Sequence, residues 1–337
     1  MILIDAVFVA SYGGVNVLKT LINSIEQSER KLFILFLDQR LQSLDLNTEN
    51  FKSVLYVKKG IVNRQLNFSK IENKIKVVLS LGNVPLIVPK STYQITYNMQ
   101  YFVFDVSMIN SFRLKFSWLL KGFIIRTLFK FTKSDIAVQT NTMASLFTKI
   151  KSGGEIYNFP IFKPITKSGK IDNTPTNFIY ITSNQPYKKV DFLINAFNQH
   201  NEKHKESKLF LTIDDENVFD DLNKLSNNNI INLGYVKNDL VNKILSSNYN
   251  LVHPSLIESF GIVLLEASWN GNAIIAPDLD YVYDVCEPSL TYNSNSLESL
   301  VEALDIAVKK PLAPAKPLIQ NKSRELALFL INKTNEK

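Results

Sequence analysis

Two glutamates eight residues apart could hold one ligand between them. Glu258 lies in the stretch PSLIESFG, shortly after a strand-like run at Tyr249–Val252, and Glu266 lies inside the apolar helical run that follows. If Glu258 just precedes the helix, its carboxylate lies beside free backbone N–H groups that favour anions. Glu266 is then about one and a half turns into the helix, so a ligand with phosphates and hydroxyls would engage the amides and both carboxylates. The same spacing also occurs by chance at the solvated edge of a helix.

Two lysines follow another strand-like run. Phe178–Thr182 is followed by a loop that carries Lys188 and Lys189, and an apolar helical pattern begins at Val190. Cations at the carboxyl end of a strand can meet a diphosphate. A pair of solvated lysines before a helix is the simpler alternative.

A glycine pair follows the first strand-like run. In VASYGGVN, Gly13 and Gly14 come just before a helical pattern, where they let the backbone approach a ligand and direct N–H groups at an anion. The pattern is not G-x-G-x-x-G, so it gives little support to a dinucleotide site. A tight turn that needs glycine explains the pair equally well.

Strand and helix patterns alternate in two blocks, which predicts two α/β domains with parallel sheets covered on both faces. The first block, 1–160, is expected to hold strands at Ile2–Ala10, Lys31–Leu37, Val54–Val57, Val77–Leu81, Tyr93–Tyr97 and Asp135–Gln139, and helices at Val15–Ser28, Ser111–Phe131 and Met143–Lys149. The apolar run at the N-terminus is too short for a spanning helix and lacks the basic flank of a signal peptide.

The second block repeats the alternation over 177–312. Its expected strands are Phe178–Thr182, Leu209–Ile213, Ile230–Leu233, Tyr249–Val252 and Ala273–Ala276, and its expected helices are Val190–Asn198, Asp239–Ser246, Gly261–Asn270 and Ser296–Lys309. The proline-containing stretch 161–176 is interpreted as a linker, and a last helix over 318–335 can pack back on the first domain. Two doubly wound domains are expected to face each other across a cleft at the carboxyl ends of their strands, where such folds bind ligands.

The charge distribution indicates an acidic partner. The net charge is +7, and no Asp or Glu occurs from Val106 to Ser134. A basic, aromatic-rich helix over Ser111–Lys133 predicts contact with an anionic membrane surface, although an ordinary surface helix is the alternative. Its charges argue against a membrane span, and no recognised module supports nucleic-acid binding. The single cysteine, Cys286, excludes a disulfide framework.

The stretch HPSLIESFGIVLLEASWNGNAIIAPDLDYVYDV, His253–Val285, resembles the donor-binding segment of retaining glycosyltransferases with the GT-B fold, in family 4 (group 1). The order of the motifs is also similar: the glycine pair, then a lysine before DFLINAF, then Glu-x7-Glu. LGNVP at Leu81–Pro85 and IAVQTNTM at Ile136–Met143 resemble the O-antigen and capsule branch of that family. The resemblance covers most of Gly13–Val308.

The resemblance implies a role for each donor-side residue. Lys188, with help from Lys189, would neutralise the diphosphate, and Glu266 would hold the ribose. The sugar hydroxyls would meet Glu258, assisted by the backbone of Ser259, Phe260 and Gly261. Ser183 stands where the family commonly has an arginine, so phosphate stabilisation would rest on Lys188.

On the acceptor side, the resemblance implies that Gly13 and Gly14 approach the phosphate or the acceptor. The family often has a histidine of the first domain near the reacting sugar. The corresponding region, TYNMQYFVF, offers Asn98 and Gln100 and no histidine.

The implied activity is retaining transfer of a hexose from a nucleotide-diphosphate sugar to a lipid-linked saccharide, in bacterial surface polysaccharide synthesis such as that of O-antigen or lipopolysaccharide. No cofactor and no metal are expected, and the histidines His200, His204 and His253 are interpreted as scattered. The expected place is the cytoplasm, peripheral to the inner face of the membrane. The alternatives are a GT-B-like nucleotide-sugar epimerase and a catalytically silent sugar-nucleotide-binding subunit. The Asp278–Asp280 motif DLD could suggest a metal site, but it lies too late in the chain.

Overall fold

The computed structural model of the chain describes residues 1–103, 105–107, 109, 112–149, 154–165, 176–183, 185–214, 228–247 and 249–336. The chain divides into two compact units. The first contains Met1–Ser107, Ser111–Pro164 and Gln320–Lys337, and the second is made mainly of Ile165–Ile319.

The first unit is built on a parallel sheet with strand order β3-β2-β1-β4-β5-β6-β7. Its strands are β1 (Ile2–Ala6), β2 (Phe33–Asp38), β3 (Ser53–Val57), β4 (Val77–Leu81), β5 (Tyr93–Tyr97), β6 (Asp135–Val138) and β7 (Ile156–Asn158). Every residue of β1, β2 and β4 is buried. This is the expected property of central strands whose two faces are both covered by helices.

The second unit has a parallel sheet of the same topology, with strand order β10-β9-β8-β11-β12-β14, and a small antiparallel pair, β13 with β15. The strands are β8 (Asn177–Tyr180), β9 (Lys208–Leu211), β10 (Ile230–Asn232), β11 (Asn250–Val252), β12 (Ile274–Pro277), β13 (Cys286–Glu287), β14 (Leu290–Tyr292) and β15 (Lys316–Pro317). In both sheets the strand order reverses beside the first strand of the unit, which is the arrangement of Rossmann-like domains.

Helices connect the strands. In the described part of the chain they are α1 (Tyr12–Ser24), α2 (Ile61–Ser69), α3 (Phe112–Thr132), α4 (Asn141–Thr148), α5 (Val190–Lys203), α6 (Asn238–Leu245), α7 (Ile262–Asn270), α8 (Asp280–Tyr283), α9 (Leu297–Lys309) and α10 (Ser323–Lys333). None of the helices described there is both long and apolar enough to cross a membrane.

The C-terminal helix α10 packs in the first unit. Its apolar residues Leu326, Ala327 and Leu330 are fully buried in the core that also contains α1. At its start, the Arg324 guanidinium binds both carboxylate oxygens of Glu29. Apolar burial holds the helix in place, and the half-exposed ion pair adds little because water and salt screen it.

A buried ion pair joins the central strand β1 of the first sheet to helix α2. Asp5 on β1 accepts a hydrogen bond from Arg64 on α2, and both side chains are almost completely buried. Arg64 also donates to the carbonyl oxygens of Val84 at 2.7 Å and Pro85 at 3.3 Å. Burial raises the pKa of Asp5, and the guanidinium opposes that shift. Arg64 therefore ties β1 to the loop that follows β4.

Several boundaries differ from the sequence-based expectation. Ile161 and Phe162, assigned to the linker 161–176, are buried residues of the first unit, while 166–175 lie outside the described residues. Helix α5 runs on to Lys203 instead of ending at Asn198. Ser111, the expected start of α3, is outside the described residues, and α3 is described from Phe112.

Some elements were missed, namely α2, α8, β7, β14 and the β13–β15 pair. These elements are short, and α2 buries little more than Arg64 and Phe68. They therefore leave a weak hydrophobic pattern in the sequence.

Candidate functional site

The candidate site lies where the strand order of the second sheet reverses. β8 and β11 are neighbours in the sheet but far apart in sequence, and they run parallel. The loop after β8 carries Lys188, and the loop after β11 carries Glu258. Because parallel strands end at the same edge of a sheet, this topology brings the two loops together at the position where doubly wound domains bind ligands.

Lys188 and Glu258 form an ion pair across these loops. The Lys188 Nζ atom lies 2.5 Å from Glu258 Oε1, and each side chain is only 15% exposed. Burial by itself would raise the pKa of Glu258, but the Lys188 ammonium and the His253 ring outweigh it and lower the pKa to about 2. Glu258 is therefore an anion at every physiological pH.

His253 is a third member of this cluster. Its side chain is buried, and Nε2 lies 3.2 Å from Glu258 Oε1, although neither ring nitrogen has a well-aligned hydrogen-bond partner in the described part of the chain. Burial lowers the pKa of His253 against the pull of the Glu258 carboxylate. The sequence analysis assigned His253 no role. The sequence feature that could have identified it is its position directly after β11 and five residues before Glu258.

Hydrogen bonds hold the two loops in place. The backbone N–H of Leu256 donates to Tyr187 O at 2.9 Å, which joins the Glu258 loop to the Lys188 loop. The Tyr180 hydroxyl donates to Lys188 O at 3.0 Å, and the Tyr281 hydroxyl donates to Ser255 O at 2.5 Å. Most of these bonds involve backbone groups, so the loops are positioned largely independently of the Lys188–Glu258 pair.

Helix α7 begins three residues after Glu258. Gly261 precedes it with φ of 76°, a left-handed conformation that glycine adopts without strain. Among the described residues no side chain caps the helix start, so its first backbone N–H groups can receive an anion. Ser259 and Phe260 form the link between Glu258 and this helix start. Glu266 is the fifth residue of α7 and is partly buried.

Two other residues predicted for the donor side do not join the ion pair. Ser183 is exposed, and its carbonyl oxygen accepts a hydrogen bond from Gln185 N at 3.1 Å. Lys189 has φ of 52°, and its Nζ atom lies 5.3 Å from the centre of the Phe192 ring. The lysine that contacts Glu258 is Lys188.

The predicted acceptor-side residues lie at the carboxyl edge of the first sheet. Gly13 and Gly14 belong to the first turn of α1, and the N-cap Ser11 accepts a hydrogen bond from Gly14 N. A Cβ on Gly14 would lie 3.1 Å from Val9 Cγ1, whereas a Cβ on Gly13 would meet nothing within 4 Å. Asn98 follows β5 and is buried, and its Oδ1 atom lacks a hydrogen-bond partner among the described residues. A side chain at position 14 would therefore require Val9 or Ser11 to shift slightly, whereas Gly13 is open to an incoming group.

A cavity of about 430 Å³ opens at the same edge of the first unit. Aromatic and aliphatic side chains form much of its wall, including Phe8, Trp118 and Ile125, and two lysines, Lys59 and Lys121, add positive charge. The loop after β4, which Arg64 anchors, forms another side. The motif LGNVP in this loop carried a family resemblance, but the sequence did not predict that it lines a pocket.

Comparison with known proteins finds a family similar to the second unit. Residues 162–324 match the family described as glycosyl transferases group 1. At the sequence level, no curated protein matches the chain.

Solved structures with a similar fold include WaaG, a glycosyltransferase involved in lipopolysaccharide biosynthesis, with a TM-score of 0.68 and 16% identity over 92% of this chain and 91% of that chain. HepE of Anabaena, crystallised with UDP and glucose, has a TM-score of 0.64 and 11% identity over 99% and 97% of the two chains. The lipopolysaccharide outer core galactosyltransferase WaaB has a TM-score of 0.61 and 14% identity over 91% and 90%. The family match and the two parallel sheets agree: residues 162–324 are similar to the group 1 glycosyl transferases, and the fold of the chain is GT-B, with two Rossmann-like domains.

Proposed function

We propose that the protein is a retaining, metal-independent glycosyltransferase that moves a hexose from a nucleotide-diphosphate sugar to a lipid-linked saccharide. The observation that carries this proposal is the Lys188–Glu258 pair, which lies before the uncapped start of α7 in the segment that matches group 1 glycosyl transferases. Two proteins of similar fold support the proposal. WaaG is a glycosyltransferase involved in lipopolysaccharide biosynthesis, and HepE was crystallised with UDP and glucose.

The pair offers both kinds of contact that a nucleotide sugar needs. Ionised Glu258 can accept hydrogen bonds from sugar hydroxyls, and such charge-assisted bonds are stronger than neutral ones. The Lys188 ammonium and the N–H groups at the start of α7 favour the diphosphate. Glu266, on the same helix, is proposed to hold the ribose.

The reaction breaks the bond between the sugar C1 atom and the diphosphate oxygen. Positive charge then develops on the sugar ring and negative charge on the departing phosphate. Lys188 and the α7 start lower the energy of that leaving group by preorganised electrostatics. The acceptor hydroxyl is proposed to attack from the face that the phosphate leaves, with the phosphate taking its proton. On this mechanism Glu258 remains an anion throughout, which agrees with its pKa of about 2.

The first unit is proposed to bind the acceptor. The cavity beside Lys59 and Lys121 can take an apolar group next to an anionic one, as a lipid diphosphate requires. Helix α3 adds exposed apolar side chains to its basic residues, including Phe112 at 81%, Phe116 at 62% and Phe123 at 64% exposed. We propose that α3 lies on an anionic membrane surface. We further propose that the enzyme acts at the inner face of the cytoplasmic membrane in surface polysaccharide synthesis, with O-antigen as one such product.

Transfer assays with a panel of nucleotide sugars test the activity. Glu258→Ala is expected to lower kcat/KM by at least about a hundredfold, the size of effect seen when a preorganised charge-stabilising contact is lost. The matched control is Glu287→Ala, whose carboxylate is 57% exposed and pairs with Lys316 at the surface. An unchanged rate in Glu258→Ala would remove Glu258 from the proposed role.

Four further readouts separate the alternatives. The anomeric configuration of the product, read by NMR, tests retention, and activity in excess chelator tests metal independence. Epimerised donor in the absence of acceptor would favour a nucleotide-sugar epimerase. No heat of binding with any nucleotide sugar in calorimetry would favour a silent subunit.

A further inference from the structure

Two histidines that look scattered in sequence meet an aspartate in the second unit. His200 lies on α5, and His204 follows it by four residues, just past the helix end. Their rings stack with centres 4.7 Å apart. Asp305, on α9, faces both rings. From the sequence the two histidines were interpreted as scattered, because Asp305 is more than one hundred residues away.

The donor atoms of the three side chains converge on one point. His200 Nδ1 lies 2.6 Å from Asp305 Oδ1, and His204 Nε2 lies 3.6 Å from the same oxygen. One ligand atom from each residue lies within 4.8 Å of the other two. Ligands of a tetrahedral zinc ion are roughly 3.4 Å apart, because each bond is about 2.0–2.2 Å long. Small side-chain rotations therefore create the space for an ion.

The second ring nitrogen of His200 has the kind of hydrogen-bond partner that metal-binding histidines usually have. His200 Nε2 lies 3.2 Å from Ser207 Oγ, and His200 is fully buried. A histidine that binds a metal through one nitrogen usually donates the other N–H to a neighbouring oxygen, which fixes the tautomer and the ring orientation. Ser207 can perform this role, with the proton on Nε2 and the Nδ1 lone pair directed at the ion.

We propose that His200, His204 and Asp305 form a binding site for a divalent first-row cation, with Zn²⁺ as the preferred ion. Two imidazoles and one carboxylate are ligands that Zn²⁺ accepts. The His204 side chain is 18% exposed, so water reaches a fourth coordination position. An ion here would join α5 to α9 and stabilise the second unit.

This site is separate from the proposed donor site. His200 is the eleventh residue of α5, so it lies about 15 Å along the helix from its start, and Lys188 precedes that start. The metal therefore enters no step of the proposed transfer reaction. It is expected to change stability and leave the chemistry to Lys188 and Glu258.

Lys203 supplies a matched control. Its Nζ atom lies 3.6 Å from Asp305 Oδ2, and its side chain is 69% exposed. Lys203 can swing into solvent when an ion binds, so its ammonium competes with the metal for Asp305. Lys203→Ala should keep or increase metal affinity, whereas His204→Ala and Asp305→Asn remove ligands.

The test uses the full chain without a polyhistidine tag, titrated with Co²⁺ and then Zn²⁺. We expect one Co²⁺ per chain, a visible absorption band of tetrahedral intensity, and displacement of Co²⁺ by Zn²⁺. Zn²⁺ at a hundredfold excess over Kd should raise Tm by about 5–10 °C. Affinity should fall at least about tenfold in His204→Ala and in Asp305→Asn, and should be unchanged or higher in Lys203→Ala.

The proposal is overturned if wild-type protein shows no tetrahedral Co²⁺ band. It is equally overturned if affinity is unchanged in both ligand variants, since the ion is then bound elsewhere. Circular dichroism checks that each variant is folded. His204 is partly exposed at a helix end, so its removal tests the site with little disturbance of the core.

Discussion

Removing the Lys188 ammonium should expose how strongly it is coupled to Glu258. In Lys188→Met, the Glu258 carboxylate stays in a site where its side chain is 15% exposed, but without its cation. The pKa of Glu258 is about 2 in the folded protein, against an ordinary value of 4.5. That difference corresponds to about 3 kcal/mol of unfolding free energy. Breaking one side of a buried ion pair costs a similar amount, about 3–5 kcal/mol.

The pH dependence follows from the direction of the shift. Because the pKa of Glu258 is lowered on folding, the stabilisation is complete above about pH 4.5 and disappears as the pH falls towards 2. Lys188→Met should therefore be least stable relative to wild type at neutral pH. The difference between the two proteins should shrink as the pH falls below 4.5.

The assay is urea unfolding of a double-mutant cycle: Lys188→Met, Glu258→Gln and the double variant. The chain has two tryptophans, and a Trp118→Phe background leaves Trp269, on α7, to report on the second unit. We expect Lys188→Met to lose about 3 kcal/mol at pH 7, and the double variant to recover much of it because no charge is left unpaired. A coupling energy below about 0.5 kcal/mol would mean that the two sites act independently, which would refute this reasoning.

Three other predictions, two of them with a control variant, concern further parts of the chain. Arg64→Met should lower the unfolding free energy by about 3–5 kcal/mol in urea titrations, because Asp5 is left buried without its cation. Arg324→Ala should lower it by at most about 1 kcal/mol, because the Arg324 side chain is 35% exposed. Equal losses in these two variants would contradict the burial argument. Gly261→Ala should lower the unfolding free energy by about 1–2 kcal/mol, since φ there is 76°; an unchanged Tm would show that the α7 start tolerates a side chain. In vesicle co-sedimentation with anionic lipid, Phe123→Ser should weaken binding through loss of an exposed α3 side chain, whereas Leu66→Ser, which changes a comparably exposed residue on α2, should not.

Two strands could be read from the sequence at both ends, whereas a third was predicted too long. Val77–Leu81 and Tyr93–Tyr97 agree with β4 and β5, but the strand expected over Ile2–Ala10 ends at Ala6. β4 is a largely apolar run, as expected of a strand buried on both faces, and the residues of β5, YQITY, alternate with the two-residue period of a strand. Edge strands such as β7 were missed, since its residues are only partly buried and leave little hydrophobic pattern.

The contact at the candidate site was partly predictable. Glu258 and Lys188 were both expected to follow strand ends, and the structure brings them together because parallel strands end at one edge of a sheet. That Lys189 lies beside the Phe192 ring and not beside Glu258 was not predictable. Its backbone adopts a left-handed conformation that directs the side chain to the Phe192 ring, and the sequence pattern KK does not distinguish the two lysines.

The amino-acid sequence by itself determined the alternation of strands and helices, the two-domain α/β class and the loops that carry Glu258 and Lys188. These properties follow from local hydrophobic patterns and from short motifs. The tertiary structure alone decided which side chains meet: Lys188 with Glu258 and His253, Arg64 with Asp5, and Asp305 with two histidines. Each of these contacts joins residues distant in sequence except that of His253 with Glu258. Their burial sets the pKa values and charges on which function depends, and burial is a property of the packed chain.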